Sequence, residues 1–187
     1  MILPIYIYGF PVLRKLAAPI GPDFEGLTEL IQNMYETMYN AKGVGLAAPQ
    51  VGLSHRIFVV DTIQIMKEGE KEKGIKKVFI NPLILDESGE FWAYEEGCLS
   101  IPNIHGDVER QQKVVIKYQD EGFNWLEEEY DGFNARVIQH EYDHIEGKLF
   151  IEKLKPLKKK LIQNKLNKMK AGDVKADYKI KVFKPSW

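Results

Sequence analysis

The 187-residue chain is 44% apolar and 28% charged, a globular balance that excludes disorder and is long enough for one domain with a substantial core. A single cysteine excludes an internal disulfide framework and makes a reducing cytoplasm the default. The net charge of −1 hides an asymmetry, because residues 155–187 carry eleven lysines against Asp173 and Asp177, which points to a polyanionic partner or a solvated basic helix face.

In chain order, "MILPIYIYGFPVLRK" is apolar but interrupted by Pro4, Gly9 and Pro11, with no basic region ahead of the apolar run. It reads as an edge strand or extended arm rather than a signal peptide or membrane span. Leu27, Leu30, Ile31, Met34 and Met38 recur at helical spacing, and the run stops near Asn40. "RIFVVD" (56–61) and "VFINPLI" (78–84) are β-branched runs that predict strands. Between them, the charged stretch 62–77 predicts an exposed hairpin or loop. "KVVIKYQ" and "FNWLEEEY" flank Asp120-Glu121-Gly122, a hairpin turn. Phe133, Val137, Ile138 and Ile145 mark a second helix, with Gly147 as its stop. "LKKKLIQNKLNKMK" predicts a basic third helix with a partial apolar face at Leu157, Leu161 and Ile162, and "YKIKVF" a last strand. Strands and helices without regular βα alternation give an α+β fold. Residues 1–187 are expected to form one domain, with 155–187 as a basic helix-plus-strand extension.

"GVGLAAPQ" (43–50) has the Gly-x-Gly-x-x-Ala spacing of a dinucleotide fingerprint, and Asp61 follows at a suitable distance. That fingerprint needs a strand before the glycines and a helix opening directly after them. Here a predicted helix precedes them, Pro49 follows, and the next element is a strand, so a nucleotide site is disfavoured. The second helix contains "QHEYDH" (139–144). His140 and His144, four residues apart, project from one helix face about 6 Å apart and can share a metal ion, which Glu141 can flank without binding. A third ligand is needed. Position 150 is Phe150 where a metzincin has His; Glu146 and Glu152 lie close in sequence, and Asp173 and Asp177 sit among lysines. The remaining soft ligand is Cys98 in "EGCLS" (96–100), a residue type that on its own is more often core.

Taken together, the three stretches resemble the motifs of the peptide deformylases: Gly-x-Gly-Leu-Ala-Ala-x-Gln, Glu-Gly-Cys-Leu-Ser and His-Glu-x-Asp-His, matched in order over roughly residues 1–155. The resemblance implies mixed or antiparallel strands around a central metal-binding helix. It implies that Cys98, His140 and His144 hold one divalent metal, Fe2+ by expectation, replaceable by Zn2+, Ni2+ or Co2+. Glu141 would activate a metal-bound water, with Gln50 and the Leu99 backbone N–H as donors to the developing oxyanion. Peptide backbone would run past Gly45 and Gly97, and Val44, Phe133 and Val137 would line a methionine pocket or simply be core. The implied substrates are N-formylmethionyl nascent peptides. The resemblance implies the ribosome surface as a partner for the basic helix, the alternative being that the helix packs on the domain with its lysines solvated. The chain is expected to be a monomer away from membranes, and bacterial cytoplasm is the expected compartment. A zinc endopeptidase and a non-catalytic protein with a structural metal are the alternative readings.

Overall fold

The computed structural model describes residues 1–184; the last three positions of the 155–187 extension lie outside them. The elements are β1 (Ile5–Tyr6), α1 (Leu27–Asn40), β2 (Gly45–Ala47), β3 (Ile57–Asp61), β4 (Lys76–Cys98), β5 (Ile101–Gln119), β6 (Trp125–Asp131), α2 (Gly132–Ile145), α3 (Pro156–Lys170) and β7 (Ile180–Lys181). Strands β2 to β6 form an antiparallel sheet in sequential order, while β1 and β7 pair in parallel as a separate ribbon. This is an α+β fold with α2 lying against β2, β3, β5 and β6.

The apolar periodicity explains the packing. In α1 the helical-spaced Ile31, Met34 and Met38 are buried with Leu46, Ile57 and Val59. On the opposite side of β3, Phe58 and Phe79 stack at 4.7 Å, and Phe79 meets Tyr118 at 4.5 Å, beneath Ala135, Val137 and Ile138 of α2. Helix α2 ends where Gly147 takes a φ of 72°. A side chain there would also press within 2.7 Å of the Arg14 carbonyl oxygen, so conformation and space both demand glycine.

Three expectations need correcting. The strand predicted at 78–84 is the start of β4, which runs 23 residues to Cys98. Register shifts at 80/83, 84/86, 88/91 and 97/98 break the alternation that would have revealed its length. The last strand is confined to Ile180–Lys181. In α3 the buried residues are Ile162, Leu166 and Met169, whereas Leu157 and Leu161 are 71% and 68% exposed. The stretch 62–77 is built on two short 3-10 turns, 63–65 and 71–73, before β4 begins.

Candidate active site

Strand β2 carries Gly45 beside α2, and the short 3-10 turn Ala48–Val51 that follows turns Gln50 inward. The end of β4 supplies Gly97 and Cys98, and Leu99 sits in the tight turn to β5. Helix α2 supplies Phe133, Val137, His140, Glu141 and His144. All of these except His144, together with Val44, line one cavity of about 660 Å³. His144 is buried just behind it, 1% exposed, with its Nε2 3.3 Å from Cys98 Sγ.

Cys98 Sγ and one ring nitrogen from each of His140 and His144 lie within 4.8 Å of one another. A thiolate and two imidazoles converging at that separation fit a single divalent ion with an open position. Cys98 is a free, half-buried thiol. Burial, with the neighbouring His140 and Arg110 charges, pushes His144 well below its ordinary pKa. At His140 burial is outweighed by hydrogen bonds with Cys98 and Glu96, which push it well above its own, so a bound ion would have to displace the His140 proton. Glu146 and Glu152 are not part of the cluster: Glu146 pairs with Arg56 at 2.7 Å and Glu152 pairs with Arg14.

Behind the ligands lies a charge network that sequence reasoning missed. The Glu96 carboxylate accepts from His140 Nδ1 at 2.9 Å, from Arg110 Nε at 2.7 Å and from Arg136 Nη1 at 2.8 Å. Arg110 also donates to Asp143 at 2.8 Å. Burial alone would raise the Glu96 pKa, but the hydrogen bonds from His140 and Arg110 overcome it and hold the carboxyl well below the usual range. Engaging His140 through Nδ1 fixes the ring and leaves its other nitrogen for the cavity. Glu96 was visible in "EGCLS". The remaining signal was two arginines, at 110 and 136, at positions of β5 and α2 where an apolar residue would be expected.

Glu141 is 4% exposed, and its Oε2 has no hydrogen-bond partner among the described residues. Burial pushes its carboxyl up to about 7, against the opposing pull of His140. Gly45 makes room for Glu141: a Cβ there would sit 2.5 Å from Glu141 Oε1. Gln50 accepts from the Ala47 N–H at 2.9 Å, which turns its amide nitrogen toward Cys98 Sγ at 3.5 Å and Ser100 Oγ at 3.3 Å. Val44, Phe133 and Val137 belong to the core cluster of α2 and also face the cavity, so the core and pocket readings are compatible. Tyr94, 5.5 Å from the Phe133 ring, extends that apolar wall.

Comparison with known proteins gives the family. The polypeptide deformylase family model matches residues 2–160. Peptide deformylases of Flavobacterium johnsoniae and Christiangramia forsetii are 54% and 52% identical, each alignment covering 97% of this chain and 96% of the relative. Among solved structures, the peptide deformylase of Thermus thermophilus superposes with a TM-score of 0.81 at 39% identity, covering 92% of this chain and 99% of that one. The Legionella pneumophila enzyme gives 0.79 at 40%, covering 91% and 96%. With motifs, fold and full-length relatives in agreement, the chain belongs to the polypeptide deformylase family, metal-dependent hydrolases that remove the N-formyl group from nascent peptides.

Proposed function

We propose that deformylation by this chain runs through the Glu141 carboxylate, held in the cavity beside Cys98, His140 and His144. The observation that carries this reading is the bare, buried Oε2 of Glu141 next to three converging ligand atoms. Cys98 Sγ and the two imidazoles would hold one divalent ion, Fe2+ by expectation, with Zn2+, Ni2+ or Co2+ able to replace it. When bound, that ion supplies Lewis acidity, easing deprotonation of a water and polarising the formyl oxygen. Glu141 takes the proton of the attacking water and later delivers it to the departing amine nitrogen. The Gln50 side-chain amide and the Leu99 N–H donate to the oxygen that gains negative charge. Gly45 and Gly97 let the peptide backbone approach as an added strand, and Val44, Phe133 and Val137 receive the methionine side chain.

The chain works as a single domain with 155–187 as its extension, as a monomer in the bacterial cytoplasm. The bacterial sources of its relatives support the compartment, and no helix among the described residues is long and apolar enough to cross a membrane. Helix α3 serves as a ribosome-facing surface. Support comes from seven lysines and no acidic residue between 155 and 170, and from Leu157 and Leu161 exposed among them.

Formate release from formyl-Met-Ala-Ser by protein loaded with iron or nickel tests the reaction. Absence of formate from protein of confirmed metal content rejects it.

A further inference from the structure

Two successive carbonyls, those of Leu99 and Ser100, close the turn between β4 and β5, and each is gripped from outside the sheet. The Tyr178 hydroxyl donates to the Leu99 carbonyl at 2.7 Å. The Tyr8 N–H donates to the Ser100 carbonyl at 2.8 Å. These donors come from distant parts of the chain, yet they are tied together. Strand β1 pairs with β7 through Ile5 with Ile180 and Tyr6 with Lys181. The Ile5 N–H donates to Lys179 O at 2.9 Å and the Ile7 N–H to Lys181 O at 3.0 Å. Tyr178 therefore stands two residues from an anchored strand, its ring packed in the same apolar cluster as Leu3 and Leu99. A further tie, from Asn103 Nδ2 to the Lys175 carbonyl at 3.2 Å, draws the segment 175–178 into the cavity wall. The segment 175–178 and β7 lie beyond residue 160, where the family model's match ends.

The turn so held carries the Cys98 thiol and the Leu99 N–H. A hydrogen-bond donor assists a reaction only if it is aimed in advance at the place where charge develops, and small displacements forfeit much of its effect. A tight two-residue turn at a register shift has little inherent reason to hold such an aim. We infer that the β1–β7 ribbon is a clamp on the Cys98–Leu99–Ser100 turn, and that Tyr178 is a positioning residue for deformylation, acting through the Leu99 backbone. This rests on the proposed role of Leu99 as an oxyanion donor.

Tyr178→Phe keeps the ring and removes only the hydroxyl. With formyl-Met-Ala-Ser, kcat should fall about tenfold, the rate equivalent of one neutral hydrogen bond, while KM stays within about twofold. Bound metal should stay at the wild-type value, and the thermal midpoint should fall by no more than about 2–4 °C, leaving the variant fully folded at assay temperature. Amide hydrogen exchange in the stretch 97–101 should accelerate by a similar factor, reporting a loosened turn independently of turnover. Unchanged kcat or unchanged exchange overturns the inference. So does a loss of kcat that merely tracks lost metal or lost folded protein, which would make Tyr178 a structural brace alone. An inactive wild-type chain sinks the deformylation mechanism and this inference with it; an active wild type with an unaltered Tyr178→Phe sinks the inference alone.

Discussion

Helices α2 and α3 are nearly equal in length, 14 and 15 residues, and both are rich in polar side chains, yet they place them in opposite directions. In α2, Arg136, Gln139, Glu141 and His144 are buried alongside Val137 and Ile138. In α3 every lysine is exposed and only Ile162, Leu166 and Met169 turn inward. A buried charge costs several kcal/mol unless partners replace its lost water. Arg136, His140 and Asp143 of α2 have such partners in Glu96 and Arg110, and Glu141 is the exception, with its Oε2 unpartnered among the described residues. The α3 charges keep their water and remain free for a partner outside the molecule.

Substitutions on either side of this contrast should behave differently. The largest effect is expected at Glu141, whose charge is buried for chemistry rather than for structure. Glu141→Gln should lose nearly all turnover, at least about 10²–10⁴-fold, while keeping fold and near-stoichiometric metal. Metal loss comparable to that of His140→Ala, read by elemental analysis, would mean that Glu141 is a ligand instead. Next comes Gln50, facing α2 across the cavity. Gln50→Leu should lower kcat by about 10²–10³ with a smaller change in KM. A rise in KM alone would reassign Gln50 to substrate binding.

Glu96 sharpens the contrast further, since it holds Arg136 and His140 of α2 in place. Glu96→Gln should weaken metal affinity by about 10–100-fold and destabilise the fold by about 3–5 kcal/mol, because Arg136 stays buried without a counter-charge and Arg110 keeps only Asp143. Chelator competition and denaturant titration measure the two effects. Wild-type values for both would show that the network is dispensable. The smallest effect on catalysis belongs to α3. Changing Lys158, Lys159, Lys160 and Lys165 together to Glu should leave tripeptide turnover intact while weakening ribosome co-sedimentation at low salt. Failure of the wild-type chain to co-sediment at low salt would remove the docking role.

Much of this was legible in the residues. Helix α1 was marked by Ile31, Met34 and Met38, and the end of α2 by Gly147. The family resemblance carried by the three motifs gathered Gln50, Cys98 and His140 before any geometry was known. Features that depend on contacts between distant parts of the chain were not legible. The length of β4 was hidden because its bulges disturb a two-residue period. Arg110 and Arg136 carried no reading of their own in the sequence, because the Glu96 carboxylate that joins them is 14 and 40 positions away. The reason for Gly45 was unreadable because the atom it makes room for, Glu141 Oε1, lies 96 positions further along the chain. In α3, lysines on all sides obscured which leucines face the protein.

The pairing of residue 5 with residue 180 also imposes an order of events when the chain is made from its N-terminus. Residues 43–50, 96–100 and 139–144 all leave the synthetic machinery before residue 178 does, and the β4–β5 hairpin can close through contacts near in sequence. Closing the β1–β7 ribbon instead requires the chain to span nearly its whole length, a contact of the slow, non-local kind. The cavity can therefore assemble its ligands first and have its turn fastened last, making Tyr178 a late-maturing part of the site.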